Sequence, residues 1–123
     1  MLADQELMAF VATERAGEAL VFYRDVLGLR FISDDLFALV FQAGEVTLRI
    51  QKVEHHAPLP YTSLGWKVRD IAATVTGLHA KGAQFERFPG LEQDENGIWN
   101  SPSGARVAWC KDPDGNVLSL TQV

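Results

Sequence analysis

Phe22-Tyr23-Arg24-Asp25-Val26-Leu27-Gly28-Leu29-Arg30-Phe31 carries an apolar stripe into a glycine and then into a strand. The stripe starts earlier: Ala19, Leu20, Phe22, Tyr23, Val26 and Leu27 recur at helical spacing, which predicts a helix over 16–27. Thr13 or Glu14 is placed to cap its start, and Gly28 to stop it. The same punctuation returns 54 residues later, where Gly82-Ala83-Gln84-Phe85 repeats the order glycine, apolar, polar, Phe. That repeat also ends a helical pattern, over 71–81, with Ile71, Val75 and Leu78 on one stripe and Asp70 as N-cap.

Apolar strands flank both helices. The first half reads as strands over 6–12, 29–33, 37–42 and 45–53, and the second as strands over 62–69, 84–88, 106–111 and 116–122. Each half is therefore β-α-β-β-β. The fold class is α+β, a single domain of two tandem βαβββ modules, about 1–53 and 62–123, forming an open, barrel-like cradle of sheet. A linker over 54–61, which contains Pro58 and Pro60, separates them and discourages continued pairing. Ala43-Gly44 is expected to close one hairpin, pairing Gln42 with Glu45. Asp112-Pro113-Asp114-Gly115 closes another as a type I turn with Gly at the left-handed position. The second half carries about 17 extra residues, located in 89–104, a Gly-, Pro-, Asn- and Asp-rich segment of the kind that is often functional.

Bulk properties narrow the function. The 123 residues suit one domain, and 47% hydrophobic against 22% charged residues is enough for a core. A net charge of −5 argues against nucleic-acid binding, which needs clustered Lys and Arg. Cys110 is the lone cysteine, so no intrachain disulfide forms, which fits a reducing cytoplasm. Residues 1–6 lack the basic start and apolar run of a signal peptide, and no stretch approaches a membrane helix; no membrane partner is expected.

Strand alternation sorts side chains by face. Phe37, Leu39, Phe41, Val46, Leu48 and Ile50 form one face for a helix to cover; Ala38, Val40, Gln42, Thr47, Arg49 and Gln51 form the other. In the second half Leu64, Trp66, Val68, Val107, Trp109, Leu118 and Leu120 are the expected core set. Ser63, Gly65, Lys67, Arg106, Ala108, Cys110, Val117, Ser119 and Thr121 lie opposite. The opposite faces mix small, apolar and a few polar groups, as a small-molecule cavity does; a wet sheet face or a dimer interface is the competing reading.

The segment Phe22-Tyr23-Arg24-Asp25-Val26-Leu27-Gly28-Leu29 resembles the "FY-x-x-x-LG" helix of the vicinal-oxygen-chelate superfamily, the glyoxalase, bleomycin-resistance and extradiol dioxygenase group. Lys111-Asp112-Pro113-Asp114-Gly115-Asn116 resembles its "DPDGN" final turn. With the duplicated module order, the resemblance covers nearly the whole chain. It implies the fold, a cavity and a homodimer, but leaves the chemistry open because one fold hosts many. Enzymes of the family hold a divalent metal with His and Glu from four strands. Carried over, those positions fall on Met8, on or near Thr47, on Ser63 and on Ser119, none of which is a carboxylate or an imidazole. Thioether and neutral hydroxyls do not replace such ligands. No metal or other cofactor is therefore expected.

The remaining candidates carry bland alternatives. Met8, Phe10, Val40, Cys110 and Val117 are expected to offer apolar contact in the cavity, and Thr47, Ser63 and Ser119 polar contact. Arg49 and Lys67 are the charges expected to reach the cavity; Arg suits a ligand carboxylate or phosphate, and the alternative for both is an ion pair with Glu45, Glu86 or another loop carboxylate. Trp99 could stack on a flat ligand or pin the long segment to the sheet. Cys110 has no base nearby in sequence and reads as a lining residue rather than a nucleophile. His55 and His56 lie in the linker, and His79 lies off its helix stripe. Glu92, Asp94 and Glu95 read as surface carboxylates before they read as acid–base groups. Three functions remain: a metal-free small-molecule binder that sequesters its ligand, a glyoxalase- or dioxygenase-like enzyme with a displaced metal site, and a metal-free enzyme using groups such as Arg49 or Cys110.

Overall fold

A computed structural model describes residues 1–123. The chain divides into two compact units, Met1–Ala57 and Pro58–Val123. The first contains β1 (Met8–Thr13), α1 (Ala16–Val21), a π-helical turn (Phe22–Val26), β2 (Arg30–Asp34), β3 (Ala38–Ala43) and β4 (Val46–Lys52). The second contains β5 (Thr62–Lys67), α2 (Ile71–Ala80), β6 (Trp99–Asn100), β7 (Arg106–Lys111) and β8 (Val117–Gln122). Each unit is βαβββ, and the fold class is α+β. The strand orders, β1-β4-β3-β2 and β5-β8-β7-β6, are the same order twice. Each sheet is open, with one parallel pair (β1–β4, β5–β8) and antiparallel pairs elsewhere.

In the first unit the helix packs on the side of the sheet that carries Leu39, Phe41, Leu48 and Ile50, all essentially inaccessible. The Tyr23 ring lies 6.0 Å from that of Phe41, and Phe31 meets Phe41 edge-on at 5.7 Å. Each such side chain removed from water contributes about 1.5–3 kcal/mol. Phe37 departs from expectation: it belongs to the turn before β3, beyond the last rung, and is 71% exposed. Its N–H and that of Ala38 both donate to Asp35 Oδ1, at 2.7 and 2.9 Å.

Both helices end as the glycines require. Gly82 takes φ 108°, Gly82 N donates to His79 O, and Ala83 N donates to Leu78 O, a complete Schellman closure. Gly28 takes φ 73°, but here Leu29 N reaches back to Tyr23 O, one residue farther, because the helix has widened into its π turn. Asp70 caps α2 through Ala73 N at 3.1 Å. α1 is different: its N-cap residue is Arg15, without a side-chain cap, and Thr13 Oγ1 accepts from Arg15 N at 2.9 Å. Glu14 is turned to the backbone N–H of His56 instead.

One expected pairing shifts. The first hairpin closes at Ala43–Val46 around Gly44-Glu45, with Gly44 alone at positive φ, so Gln42 faces Thr47 rather than Glu45. In the second hairpin the expected Asp112–Gly115 turn forms, with Gly115 at φ 85°, and the closing pair is Lys111–Val117. The expected strand over 84–88 reduces to one bridge, Phe85 to Cys110; Trp99–Asn100 provides the fourth strand in its place.

Candidate functional site

The side of the first sheet turned away from the helix is built in rungs. Met8 faces Thr47, which faces Gln42; Phe10 faces Arg49, which faces Val40 and then Ser33. These are the residues the alternation grouped, and the ladder brings Met8, Phe10, Val40, Thr47 and Arg49 together. Met8 and Phe10 are half-exposed apolar groups, and Val40 is nearly covered. Thr47 Oγ1 is engaged with Gln42 Oε1 at 3.2 Å. The Arg49 side chain forms no contact ion pair and no hydrogen bond; neither Glu45 nor Glu86 holds it. Its charge is felt at Asp35, whose carboxyl is held below the usual range, chiefly by the two N–H donors and then by the positive charges of Arg49 and Lys52.

The second sheet has a comparable side. Gly65 faces Ser119, which faces Trp109; Lys67 faces Thr121, which faces Val107 and then Trp99. Ser63 is the extra residue of a bulge between Thr62 and Leu64, so the ladder gives it no partner. Val117 shares the face of Ser119 and Thr121 but is buried beside Thr62. Lys67 has no ion pair; Glu86 is taken by Lys111 at 3.4 Å.

Cys110 is corrected. It pairs with Leu118 and shares with Ala108 and Leu120 the face that packs with Ile71, Val75 and Ile98 of the α2 core. The thiol is 3% exposed, and burial, aided by Asp112 and Glu86, pushes its pKa up to about 11. It lines no open surface and carries no thiolate near neutral pH. Val107 and Trp109 take the opposite side, where Trp109 meets Phe88 edge-on at 5.2 Å and Trp99 at 6.1 Å. Trp109 and Phe88 are the aromatic residues that the strand reading missed on this side. The core packing of Trp66, by contrast, follows it.

The long segment is a built loop. The Arg87 guanidinium donates to the carbonyls of Gln93, Asp94 and Glu95. Gln93 bridges Phe88 N, Glu86 O and Gly97 O with its side-chain amide. Asp94 Oδ1 accepts from Asn96 N and Ile98 N. The Asp94 carboxylate and the Gln93 amide shape backbone. Trp99 emerges from the loop paired with Val107.

The donor set does not fit a divalent metal. Met8 and Thr47 stand as direct partners, and Ser119 faces a glycine. A thioether and hydroxyls are the groups these positions supply. No three His, Cys, Asp or Glu side chains gather in a way that could hold a metal ion, His55 and His56 included. No helix is long and apolar enough to cross a membrane.

Comparison with known proteins places this architecture. The family model of the Glyoxalase/Bleomycin resistance protein/Dioxygenase superfamily matches residues 7–120. Among solved structures, a superfamily member from Sphaerobacter thermophilus DSM 20745 aligns with TM-score 0.74 and 20% identity, covering 100% of both chains. A lactoylglutathione lyase from Agrobacterium tumefaciens aligns with TM-score 0.74 and 17% identity, covering 99% of this chain and 96% of that one. A glyoxalase/bleomycin resistance protein/dioxygenase from Alicyclobacillus acidocaldarius gives 0.71 and 13%, over 97% and 91%. No curated protein sequence matches significantly. At these identities the structural likeness speaks for the fold, and the family match for descent. The chain belongs to the glyoxalase/bleomycin resistance/dioxygenase superfamily.

Proposed function

We propose that this protein binds a small, partly apolar molecule with one anionic group and holds it without a metal, sequestering it rather than transforming it. The observation that carries the reading is Arg49: a guanidinium on a sheet face between Phe10 and Val40, with no carboxylate within ion-pair distance and only the longer-range charge of Asp35 acting on it. An arginine so placed offers a fork of donors suited to a carboxylate or phosphate, and the flanking apolar groups suit the rest of a ligand. The Met8, Thr47, Ser63 and Ser119 set supports a metal-free site. The burial and raised pKa of Cys110 weigh against a route through that thiol. A homodimer, which the family resemblance implies, is proposed with it.

A thermal-shift screen tests the reading. Small carboxylates and phosphates with an apolar body should raise the melting temperature, while their uncharged amides or esters should not. Equal response to both members of each pair would contradict it.

A further inference from the structure

Outside the Arg49 face, the second unit holds a cavity on the helix-covered side of its sheet, between α2 and the loop that follows it. Its volume is about 220 Å³; α2 supplies Val75 and His79 to its lining, and the loop supplies Phe85, Arg87, Glu95 and Gly97. Val75 is buried and Phe85 half-buried, both within the α2 core, so the base is apolar. His79, Arg87 and Glu95 are exposed and make a polar rim. Two opposite charges stand on that rim without joining. The Arg87 guanidinium donates to the carbonyls of Gln93, Asp94 and Glu95, which are neutral acceptors, and no carboxylate lies within ion-pair distance of it. Those contacts use three of an arginine's five N–H donors. The Glu95 carboxylate forms no ion pair and no hydrogen bond. His79 Nδ1 lies 3.3 Å from Ala83 O. A carbonyl only accepts, so Nδ1 carries the proton and Nε2 of the neutral ring is left as an acceptor.

We propose that this cavity binds a small zwitterion, an α-amino acid with an apolar side chain. Arg87 takes the carboxylate with its remaining donors, Glu95 and His79 Nε2 take the ammonium, and Val75 with Phe85 takes the side chain. Charge decides among the occupants. A plain anion would meet Glu95 and a plain cation would meet Arg87, whereas a molecule carrying both signs is matched at both ends. A metal ion would find one imidazole and one carboxylate, short of the three or four ligands it needs. Size agrees: 220 Å³ lies below the roughly 300 Å³ at which sites for drug-sized ligands begin. The rim is fixed in advance, because the three carbonyl contacts hold the guanidinium and Gln93 ties the loop through Phe88 N, Glu86 O and Gly97 O. Little ordering is left to oppose binding. This is a second binding function, beyond the ligand proposed for the Arg49 face, and it uses no residue of the first sheet.

The experiment is an amide NMR titration of the full chain with L-leucine, read at the backbone signals of Phe85, Asn96 and Gly97. Those signals should move saturably. N-acetyl-L-leucine lacks the ammonium, L-leucinamide lacks the carboxylate, and glycine lacks the side chain. Each should bind there at least about fivefold more weakly than leucine. Arg87 is left in place, because its loss would release the loop. Glu95→Gln keeps the shape and removes the charge of a side chain that holds nothing else in the protein, so the fold should be unchanged and leucine binding about fivefold weaker or more. Glu95→Lys should abolish the response while the rest of the spectrum is retained. No movement with leucine, equal binding by either blocked analogue, or unchanged affinity in Glu95→Gln would overturn the proposal. The readout comes from α2-side residues of the second unit, so its failure is distinguishable from failure of the Arg49 test.

Discussion

Phe10 and Arg49 are direct partners in the parallel ladder between β1 and β4, so a half-exposed phenyl ring and a guanidinium without a contact ion pair occupy one small area of sheet. Val40 closes the other side of Arg49. An apolar surround strengthens an arginine's attraction for an incoming anion, because less water competes for its donors. The metal, the turn, the loop acid, the buried thiol and the arginine itself each give a measurable consequence.

The four positions that would carry metal ligands offer Met8, Thr47, Ser63 and Ser119. Protein purified without chelator and dialysed against Zn²⁺, Ni²⁺, Mn²⁺ or Fe²⁺ should retain well under one ion per chain. Elemental analysis finding about one tightly held ion would refute the metal-free reading.

Asp112 is nearly fully buried, and its carboxylate accepts from Asp114 N, Asn116 N and Asn116 Nδ2 at 2.9, 2.9 and 2.8 Å. Asp112→Ala leaves those donors without this acceptor and should cost about 3 kcal/mol in urea unfolding. A loss under about 0.5 kcal/mol, the size of an ordinary surface change, would mean the turn does not depend on it.

Asp35 is a surface group whose carboxyl is held below the usual value by the N–H donors of Phe37 and Ala38. A depressed folded-state pKa stabilises above the unfolded value, and the benefit disappears as pH falls through the folded one. Asp35→Asn retains an acceptor but no charge. The wild type should therefore melt higher than this variant at neutral pH, and the gap should start to close as pH falls past about 4. A gap that stays constant into strong acid would assign the effect to shape rather than charge.

Cys110 should resist alkylation at pH 8 in the native state and react rapidly once unfolded, since its pKa is pushed up to about 11 and its sulfur is covered. Cys110→Ala should bind the screened ligands as the wild type does. Loss of binding with an intact melting curve would return the thiol to the site.

How much the sequence disclosed turns on parity. In the β3–β4 hairpin the expected closing pair, Gln42 with Glu45, differs from the observed register by two residues in sum, because Gln42 pairs with Thr47. An even slip moves partners along the strand but leaves every side chain on its face, so Val40, Thr47 and Arg49 were legible as neighbours on one side. In the β7–β8 hairpin the expected faces put Val107 and Trp109 on the side of Leu118 and Leu120. Instead Asn116 folds into the loop, held by Asp112, and Lys111 pairs with Val117. That odd slip exchanges the relation between the strands, which sends Cys110 inward with Leu118 and Trp109 outward with Ser119. Size misled as well: the α2 side took Ala108 and Cys110 rather than the bulkier Val107 and Trp109, because Ile71, Val75 and Ile98 already fill that space. The helix stops were plain because a left-handed glycine has few substitutes. The strand at Trp99 was hidden because only Trp99 and Asn100 pair, at the end of a loop whose order comes from Arg87 and Gln93 reaching its backbone rather than from any periodicity.

The most direct measurement of the central claim is calorimetry on the wild type and Arg49→Met, using the anionic compound that gives the largest thermal shift. Methionine keeps much of the side chain's volume and removes the donor fork. If Arg49 holds the ligand's charge, affinity should fall roughly thirtyfold, about 2 kcal/mol, with the melting temperature of the free protein little changed. An unchanged affinity would contradict the account.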